Sequence, residues 1–401
     1  MHSAPSPSRR LRALFRWIRG LYFRDVWTVG AMPPEGTRGT VFVANHPNGL
    51  LDPVVVLTEI QCHAAPLAKS TLWQVPVLKQ ILNAAGAVPV LRKQDTGKGS
   101  DTDNDAMFAR VSAHLAGGGN ILLFPEGISH DEHRLLELRS GAARMLAKAW
   151  EAGGRDLGFV PIALHYDAKD LFRSRVLMAC GNRSDASVFS GSEGSLDVRA
   201  LKDAMHADMR VLMVESPDTE AFECAATYAE IQANETDAPS AEQAYAHALT
   251  AAGAHHTAGL RAYTAALRSA DVTDTDLCNL HRSAEAPASL FWRMLGWLGV
   301  LAYLLPYKLV HPIAARTADG GRDVMSTYKL GVGAIVFVGW WLLLVAACFV
   351  ALPWPVAVSA AVLFTLAPFA ALSVLDDPAR KLRARGMRVE ALWSMRPSVS
   401  R

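Results

Sequence analysis

Short apolar runs alternate with longer amphipathic segments between Val26 and about Val214. The apolar runs are TVFVA (40–44), AVPVL (87–91), NILLF (120–124) and LGFVPIALH (157–165). Between them, segments such as 103–116 and 139–150 carry apolar residues at helical spacing. Continuous apolar strands separated by helices are typical of a parallel sheet that is covered on both faces. The pattern therefore predicts an α/β domain over residues 26–215, with a mostly parallel sheet and helices on both faces.

A basic amphipathic pattern precedes this domain. In RRLRALFRWIRGLYFR (9–24), one helical stripe contains Leu11, Phe15, Ile18 and Tyr22, and arginines occupy the opposite side. Such a helix with aromatic anchors is typical of a membrane interface, although a surface helix packed on its own domain can have the same pattern. We predict a basic interfacial helix over residues 1–25, with packing on its own domain as the alternative.

The strongest hydrophobic signal lies near the end of the sequence. Segments 330–352 and 356–375 are uncharged, and each is long enough to cross a bilayer. Basic residues flank the outer ends of this pair: Arg316, Arg322, Lys329, Arg380, Lys381, Arg383 and Arg385. The positive-inside rule therefore predicts a hairpin with both outer ends in the cytoplasm. The run 294–307 has only 14 residues, which favours a re-entrant or interfacial segment over a full span.

These signals also divide the rest of the chain. Residues 216–286 are Ala-rich and polar with helical spacing, which predicts a helical spacer. We predict a membrane region over residues 287–378 and a basic cytoplasmic tail over residues 379–401.

The overall composition argues against several classes of protein. The formal net charge of +2 gives no indication of nucleic-acid binding. The five cysteines lack CxxC spacing, which argues against a disulfide framework or a zinc site and suits a reducing compartment. The first ten residues lack the apolar core of a signal peptide. We therefore predict no metal centre and no nucleic-acid partner.

Residues that can perform chemistry follow the predicted strands. His46, Arg92 and Glu126 each come directly or almost directly after one of the apolar runs. The carboxyl ends of parallel strands meet at one edge of a sheet, so we expect these side chains to lie close together. A histidine with a carboxylate on its own loop, here Asp52, can act as a general base, because the carboxylate fixes one ring nitrogen as a donor.

The sequence also indicates which groups would react with this base and bind the substrate. There is no GxSxG elbow and no positioned nucleophilic cysteine, so the predicted nucleophile is a hydroxyl of the substrate. The planar fork of Arg92 suits a phosphate or a carboxylate. Each feature also has a structural alternative: a histidine after a strand can be purely structural, HDEH (130–133) can be a solvated turn or a metal cluster, and Pro-Glu-Gly can be a simple turn.

Taken together, the sequence resembles the PlsC-like glycerolipid acyltransferases. NHPNGLLD, GAVPVLR, FPEGISHD and VPIALHY stand in the order and approximate spacing of the four sequence blocks of that family. Five residues separate His46 from Asp52 where four are usual, and the third block reads FPEGISHD. In both features the sequence resembles the branch of the family that contains the yeast glycerol-3-phosphate and dihydroxyacetone-phosphate acyltransferases and their bacterial relatives. The resemblance covers about residues 26–215 and implies the PlsC-like acyltransferase fold.

The resemblance implies a role for each matched residue. It makes His46 the catalytic base and Asp52 the residue that orients it, and it places Pro161 on the acyl side of the site. It assigns substrate binding to six residues: Arg92, Glu126, Gly127, Ser129, Lys69 and Arg139. Among these six, Arg92 would hold the phosphate of the acceptor.

The resemblance also implies an activity and a location. The reaction would move a fatty acyl group from acyl-CoA or acyl-carrier protein to a hydroxyl of glycerol-3-phosphate or its 1-acyl derivative, without a metal or an organic cofactor. The alternatives are remodelling of another lysophospholipid and a non-catalytic lipid-binding protein of the same fold. With the predicted hairpin, the resemblance implies an integral protein of the bacterial inner membrane, with membrane lipids as partners and the catalytic domain on the cytoplasmic face.

Overall fold

The computed structural model describes residues 9–90, 101–191, 194–235, 258–282, 290–317 and 321–397, apart from the side chains of residues 9 and 101–105. The chain divides into two compact units, Met1–Pro217 and Asp218–Arg401. Each unit is described by itself below.

The N-terminal unit is built on one mixed, mostly parallel sheet. Its strands are β1 (Phe23–Gly30), β2 (Thr40–Ala44), β3 (Ala65–Lys69), β4 (Val88–Val90), β5 (Ile121–Leu123), β6 (Gly158–Tyr166), β7 (Ser174–Cys180) and β8 (Ser184–Asp185). They lie in the order β1-β7-β6-β2-β5-β3-β4, with β8 beside β6. Among the described strands, β6 runs antiparallel to β7 and β8, and the other pairs are parallel. The predicted α/β fold is confirmed.

Helices cover both faces of this sheet. They are α1 (Arg9–Tyr22), α2 (Leu51–Glu59), α3 (Pro76–Ala84), α4 (Asp101–Ala116), α5 (Gly141–Glu151) and α6 (Val198–Leu212). Val41 and Val43 of β2 are fully buried in one core cluster with Leu115, Leu146 and Met209 of the later helices. Phe42, also fully buried, points to the other face because successive strand side chains alternate. Burial on both faces explains why β2 reads as a continuous apolar run.

Four of the described strands are not predicted by the hydrophobic pattern: β1, β3, β7 and the two-residue β8. β1 is an edge strand whose side chains are mostly half-buried, and β3 is a five-residue strand that contains Pro66. β7 is apolar, but it returns antiparallel along β6 instead of continuing the parallel series. Because β7 pairs with β6 up to Tyr166, this antiparallel pairing fixes the end of β6 beside the site.

The apolar stripe of α1 packs against its own domain. Leu11 and Phe15 are buried in a cluster with Ala85 and with side chains of α2 and α3. Trp17, on the other side of the helix, is 52% exposed. The stripe that was expected to face a membrane therefore contacts protein, as in the alternative given above, and contact of this helix with a membrane stays a prediction.

The C-terminal unit joins the predicted spacer to the predicted tail. The spacer contains α7 (Thr219–Glu235), α8 (Ala258–Ala270) and α9 (Asp274–His281), and the tail forms α14 (Pro378–Ala384) and α15 (Val389–Met395). Leu382 and Leu392 of the tail are buried in one cluster with Ile231, Tyr263 and Leu277 of the spacer. Residues 378–397 therefore form a packed part of this unit, and their cytoplasmic location stays a prediction.

A buried ion pair holds the tail on the spacer. Arg396 Nε donates to Asp274 Oδ1 at 2.7 Å, and the hydroxyl of Tyr263 donates to the same oxygen at 2.6 Å. Asn234 Nδ2 donates to Asp274 Oδ2 at 2.7 Å. Asp274 is fully buried, so removing Arg396 would leave its charge without its cation at a cost of several kcal/mol, about 3–5 in comparable pairs.

Three segments between spacer and tail are long and apolar enough to cross a membrane: Leu290–Thr317, Arg322–Ala351 and Trp354–Leu375. The last two are the helices α12 (Arg322–Ala351) and α13 (Trp354–Leu375). They form an antiparallel pair around the turn at Leu352 and Pro353, in which Trp341 Nε1 donates to Thr365 Oγ1 at 3.0 Å. This pair is the predicted hairpin.

The first segment consists of two helices, α10 (Leu290–Ala302) and α11 (Leu304–Thr317). α10 runs antiparallel to α13: Gly296 lies against Ala370, and Gly299 lies so close to Ala367 that a Cβ would come within 2.1 Å of its carbonyl oxygen. Small residues at such a contact allow two membrane helices to approach closely. At the end of α10, the hydroxyl of Tyr303 donates to Phe364 O at 2.8 Å, about half-way along α13.

The chain breaks at Tyr303 for an identifiable reason. Pro306 has no N–H, so the carbonyl of Ala302 lacks the helical partner that it would have in a continuous helix. Trp340 Nε1 donates to this carbonyl instead, at 2.8 Å. The ring of Tyr303 also stacks on that of Phe337, with centroids 5.9 Å apart. These contacts place the break beside the middle of the α12–α13 hairpin.

The other end of α11 must lie near the start of α12. Only four residues separate Thr317 from Arg322, and they can span no more than about 18 Å. α12 has 30 residues and is about 45 Å long, so a helix that continued towards its far end could not connect back to Arg322. Length and composition alone would allow Leu290–Thr317 to cross a membrane as one span. The contacts instead describe a segment that runs along α13 to its middle and then returns towards the start of α12.

This geometry predicts on which side of the membrane the helix ends lie. We expect single cysteines in Arg282→Cys, Arg316→Cys and Arg383→Cys to react with an impermeant thiol reagent from one face, and the cysteine in Trp354→Cys from the other. Labelling of sealed vesicles of both orientations measures this. The five native cysteines are buried, and labelling of the protein without an added cysteine measures their background reaction. Reaction of Arg282→Cys from the same face as Trp354→Cys would show that Leu290–Thr317 crosses completely.

Candidate active site

The site begins where β2 leaves the sheet. The side chain of Asn45 takes the place of a further backbone pair: Nδ2 donates to Leu164 O at 3.1 Å, and Leu164 N donates to Oδ1 at 2.7 Å. Asn45 is buried, and these two bonds satisfy its amide. They fix the loop that carries His46 against the C-terminal end of β6.

A histidine and an aspartate meet on this loop. His46 Nδ1 lies 2.8 Å from Asp52 Oδ2, and Asn48 N donates to the same oxygen at 2.7 Å. The loop closes through a bond from Leu51 N to Asn48 O at 3.0 Å, and Gly49 adopts a positive φ of 46°. Asp52 is fully buried in the first turn of α2, where the helix dipole favours a negative charge. The five intervening residues therefore bring the pair together.

The arrangement decides which nitrogen of His46 can act. A carboxylate only accepts hydrogen bonds, so Nδ1 carries the proton and donates to Asp52. Nε2 is then the nitrogen that can accept a proton. The ring stacks on Phe124 with centroids 4.0 Å apart and planes 14° apart, and its side chain is 15% exposed. His46 thus has the tautomer, the fixed orientation and the solvent access that a general base needs.

Glu126 holds the backbone of the site. Its Oε2 accepts from His46 N at 2.9 Å, and its Oε1 accepts from Leu136 N at 3.1 Å. His130 Nε2 also lies 2.9 Å from Oε1, and the Glu126 side chain has no exposed surface. Both of its oxygens therefore have partners within the protein, and the assignment of Glu126 to substrate binding, which the resemblance implies, stays a prediction. We conclude that Glu126 fixes the loop after β5 to the loop of His46.

The side chain of Arg139 lies over Gly127, the residue that follows Glu126. Gly127 has a φ of 79°, and a Cβ at this position would come within 2.6 Å of Arg139 Nε. Arg139 N donates to Pro125 O at 2.8 Å, and its side chain is exposed. The backbone conformation therefore favours glycine at this position, whereas the exposed guanidinium that lies over it could move aside. Arg139 presents a cation at this part of the edge.

The remaining predicted residues have different positions. Lys69 is the last residue of β3 and Ser129 lies in the loop after β5, and both are half-buried. Pro161 lies within β6, where it pairs with Val43, and not at its end. Arg92 lies outside the described residues, so its assignment to the acceptor phosphate stays a prediction.

The HDEH segment belongs to the support of the site. His130 N donates to His46 O at 3.2 Å, and Lys169 Nζ donates to His130 O at 3.0 Å. Lys169 Nζ also lies 2.7 Å from Asp131 Oδ1. In the part of the chain that the structure describes, no three histidine, cysteine or acidic side chains are grouped to hold a metal ion. These contacts were not visible in the sequence, because they join loops that are distant along the chain.

Another histidine near the end of β6 serves as a contrast. His165 Nε2 lies 3.0 Å from Leu212 O, and burial lowers the pKa of His165 to about 4. A buried, neutral histidine bound to a helix terminus has a structural role. Position near the end of a strand therefore does not by itself indicate a functional histidine. His46 differs from His165 in its carboxylate partner and in its greater exposure.

The fold and the site together define a class: an α/β domain with a His–Asp pair at the carboxyl edge of its parallel strands. Comparison with known proteins gives the family of this domain. Residues 29–165 match the family model described as Acyltransferase. The resemblance of this unit to the PlsC-like glycerolipid acyltransferases is confirmed.

Individual relatives match over shorter stretches. Glycerol-3-phosphate O-acyltransferase 2 of Saccharomyces cerevisiae is 39% identical over 80 residues, and glycerol-3-phosphate O-acyltransferase 1 of the same yeast is 35% identical over 81 residues. In each case the match covers 20% of this chain and 11% of the yeast protein. The crystal structure of the 1-acyl-sn-glycerophosphate acyltransferase PlsC from Thermotoga maritima is similar at 16% identity and a TM-score of 0.38, over 50% of this chain and 77% of that one.

Glu126 provides a test of this arrangement. In Glu126→Gln, the amide nitrogen must face an N–H group whichever way the side chain is turned, because both carboxylate oxygens accept from N–H donors. We expect a loss of stability of about 1–3 kcal/mol and a fall in turnover of at least about 10-fold. Thermal unfolding and steady-state kinetics measure the two effects.

The matched control is Glu137→Gln, since the Glu137 side chain is 90% exposed. It should change neither quantity. A Glu126→Gln protein with the stability and kinetics of the original would show that the carboxylate does not hold the loop.

Proposed function

We propose that this protein is a membrane-bound O-acyltransferase of glycerolipid synthesis. It transfers a fatty acyl group from a thioester, either acyl-CoA or acyl-carrier protein, to a hydroxyl of glycerol-3-phosphate or 1-acyl-glycerol-3-phosphate. The single observation that carries the proposal is the His46–Asp52 pair, 2.8 Å apart on the loop after β2, within a domain that matches the acyltransferase family.

The reaction follows from this pair. His46 Nε2 accepts the proton of the acceptor hydroxyl while the oxygen attacks the thioester carbonyl carbon. Asp52 stabilises the imidazolium that forms and keeps the ring in place. When the tetrahedral intermediate collapses, the C–S bond breaks and the imidazolium returns its proton to the leaving thiolate. The products are an ester and a free thiol, and no group other than the two substrates is consumed.

The membrane segments support the same proposal. The acyl chain and a diacyl product are insoluble in water, so an enzyme that is anchored at the bilayer meets its lipids where they reside. The excess of lysine and arginine beside the outer ends of the hairpin favours a cytoplasmic location for those ends, and we place the catalytic domain on that side, where acyl thioesters are made. The bacterial inner membrane is part of this proposal.

His46 gives the direct test. We expect His46→Ala to lower kcat by about 10²–10⁴-fold, because it removes general-base assistance. Consumption of an acyl-CoA thioester by the purified protein, with glycerol-3-phosphate, dihydroxyacetone phosphate and lysophosphatidate as acceptors, measures this and identifies the acceptor. His206→Ala, a half-buried histidine of α6, is the control and should keep full turnover. Normal turnover in His46→Ala would refute the proposed mechanism.

Arg92 tests the acceptor. Loss of charge-assisted bonds to the acceptor phosphate should raise the acceptor KM by about 10-fold or more in Arg92→Ala. Arg92→Lys should recover only part of this, because lysine keeps the charge but lacks the planar fork. The thioester KM should hardly change, and steady-state kinetics with each substrate varied in turn separates the two constants. A defect confined to the thioester would mean that the phosphate is bound elsewhere.

A further inference from the structure

The second oxygen of Asp52 has a partner that the family match does not include. The hydroxyl of Tyr166 donates to Asp52 Oδ1 at 2.7 Å, while Oδ2 faces His46 and Asn48 N. Asp52 is fully buried and Tyr166 is 5% exposed. The family model matches residues 29–165, so Tyr166 lies just beyond it. Tyr166 is the last residue of the block VPIALHY, and the sequence alone assigned it no role.

We infer that Tyr166 is a positioning residue for catalysis: its hydroxyl fixes the Asp52 carboxylate so that Oδ2 stays directed at His46 Nδ1. This inference rests on the proposed function. The carboxylate of Asp52 can turn about its side-chain bonds, and only donors on both oxygens define its plane. Without Tyr166, Oδ1 would be a buried acceptor that has lost its donor, and the side chain could reorient to find another.

The position of Tyr166 is itself determined from two sides. It pairs with Val176 at the end of the antiparallel β6–β7 ladder, and two residues earlier Leu164 is bound to the amide of Asn45. The ring of Phe23 lies against the Tyr166 ring, with centroids 5.6 Å apart. The hydroxyl is thus held by the same strand end that holds the loop of His46.

The phenol remains a donor throughout the working pH range. Burial, followed by the negative charge of Asp52, raises the pKa of Tyr166 well above its ordinary value. A protonated phenol donates one hydrogen bond, and it does not compete with His46 for a proton. Tyr166 therefore orients the carboxylate and takes no part in proton transfer.

The test is Tyr166→Phe, which keeps the ring and removes the donor. We expect kcat to fall by about 10-fold or more, as for the loss of one hydrogen bond to a charged group, while both KM values stay within about 2-fold. Steady-state kinetics with an acyl-CoA and the acceptor used by the original protein measures this. A residue that shaped a substrate pocket would change KM instead.

A double-mutant cycle shows whether Tyr166 acts through Asp52. In an Asp52→Asn background, adding Tyr166→Phe should change kcat by less than about 2-fold, because the carboxylate that it positions is gone. A residue that contributed only packing would lower kcat by the same factor in both backgrounds, and that result would overturn the inference.

The matched control is Tyr263→Phe in the C-terminal unit. Tyr263 also donates to a fully buried carboxylate, that of Asp274, at 2.6 Å. Its loss should lower thermal stability and leave kcat unchanged. If Tyr166→Phe does not fold, 3-fluorotyrosine introduced at position 166 alters the strength of the donor with little change of shape, and kcat should then change by more than about 2-fold. An unchanged kcat would refute the inference.

The two proposals fail differently. If His46→Ala keeps full turnover, the proposed function fails. If His46→Ala is inactive while Tyr166→Phe has the kcat of the original protein, the proposed function stands and the inference about Tyr166 is wrong.

Discussion

The buried carboxylate of Asp52 is the constraint on which the site depends. A charge without solvent must be fully hydrogen-bonded, and three donors meet this need: His46 Nδ1 and Asn48 N from the loop after β2, and Tyr166 OH from the end of β6. Each donor is therefore fixed by the same requirement that stabilises the charge. The ring of His46 is oriented because its Nδ1 is one of the donors that the buried carboxylate needs.

Glu126 repeats this principle on the other side of His46. Its side chain is also completely buried, and its oxygens accept from the backbone of His46 and of Leu136 and from the His130 ring. One carboxylate thus orients the ring of His46 and another fixes its backbone. Two buried acceptors, supplied by the first turn of α2 and the loop after β5, turn neighbouring strand ends into one rigid site.

The C-terminal unit is organised by buried polar groups as well. Asp274 holds the tail on the spacer through Arg396, so the chain begins and ends its membrane segments at one helical body. Trp340 supplies the hydrogen bond that Pro306 cannot make, which allows the first apolar segment to break at Tyr303 beside the hairpin. In both places a polar group that lacks its usual partner decides the path of the chain.

The sequence by itself determined the features that depend on local patterns. Apolar runs buried on both faces gave the parallel strands, the uncharged segments gave the hairpin, and the position of His46 and Glu126 after two strands gave the edge of the site. Tertiary structure alone decided the hydrogen-bond partners of Tyr166 and Glu126 and the path of Leu290–Thr317. Each of these depends on contacts between residues far apart in the chain, which neither hydrophobic periodicity nor motif spacing records.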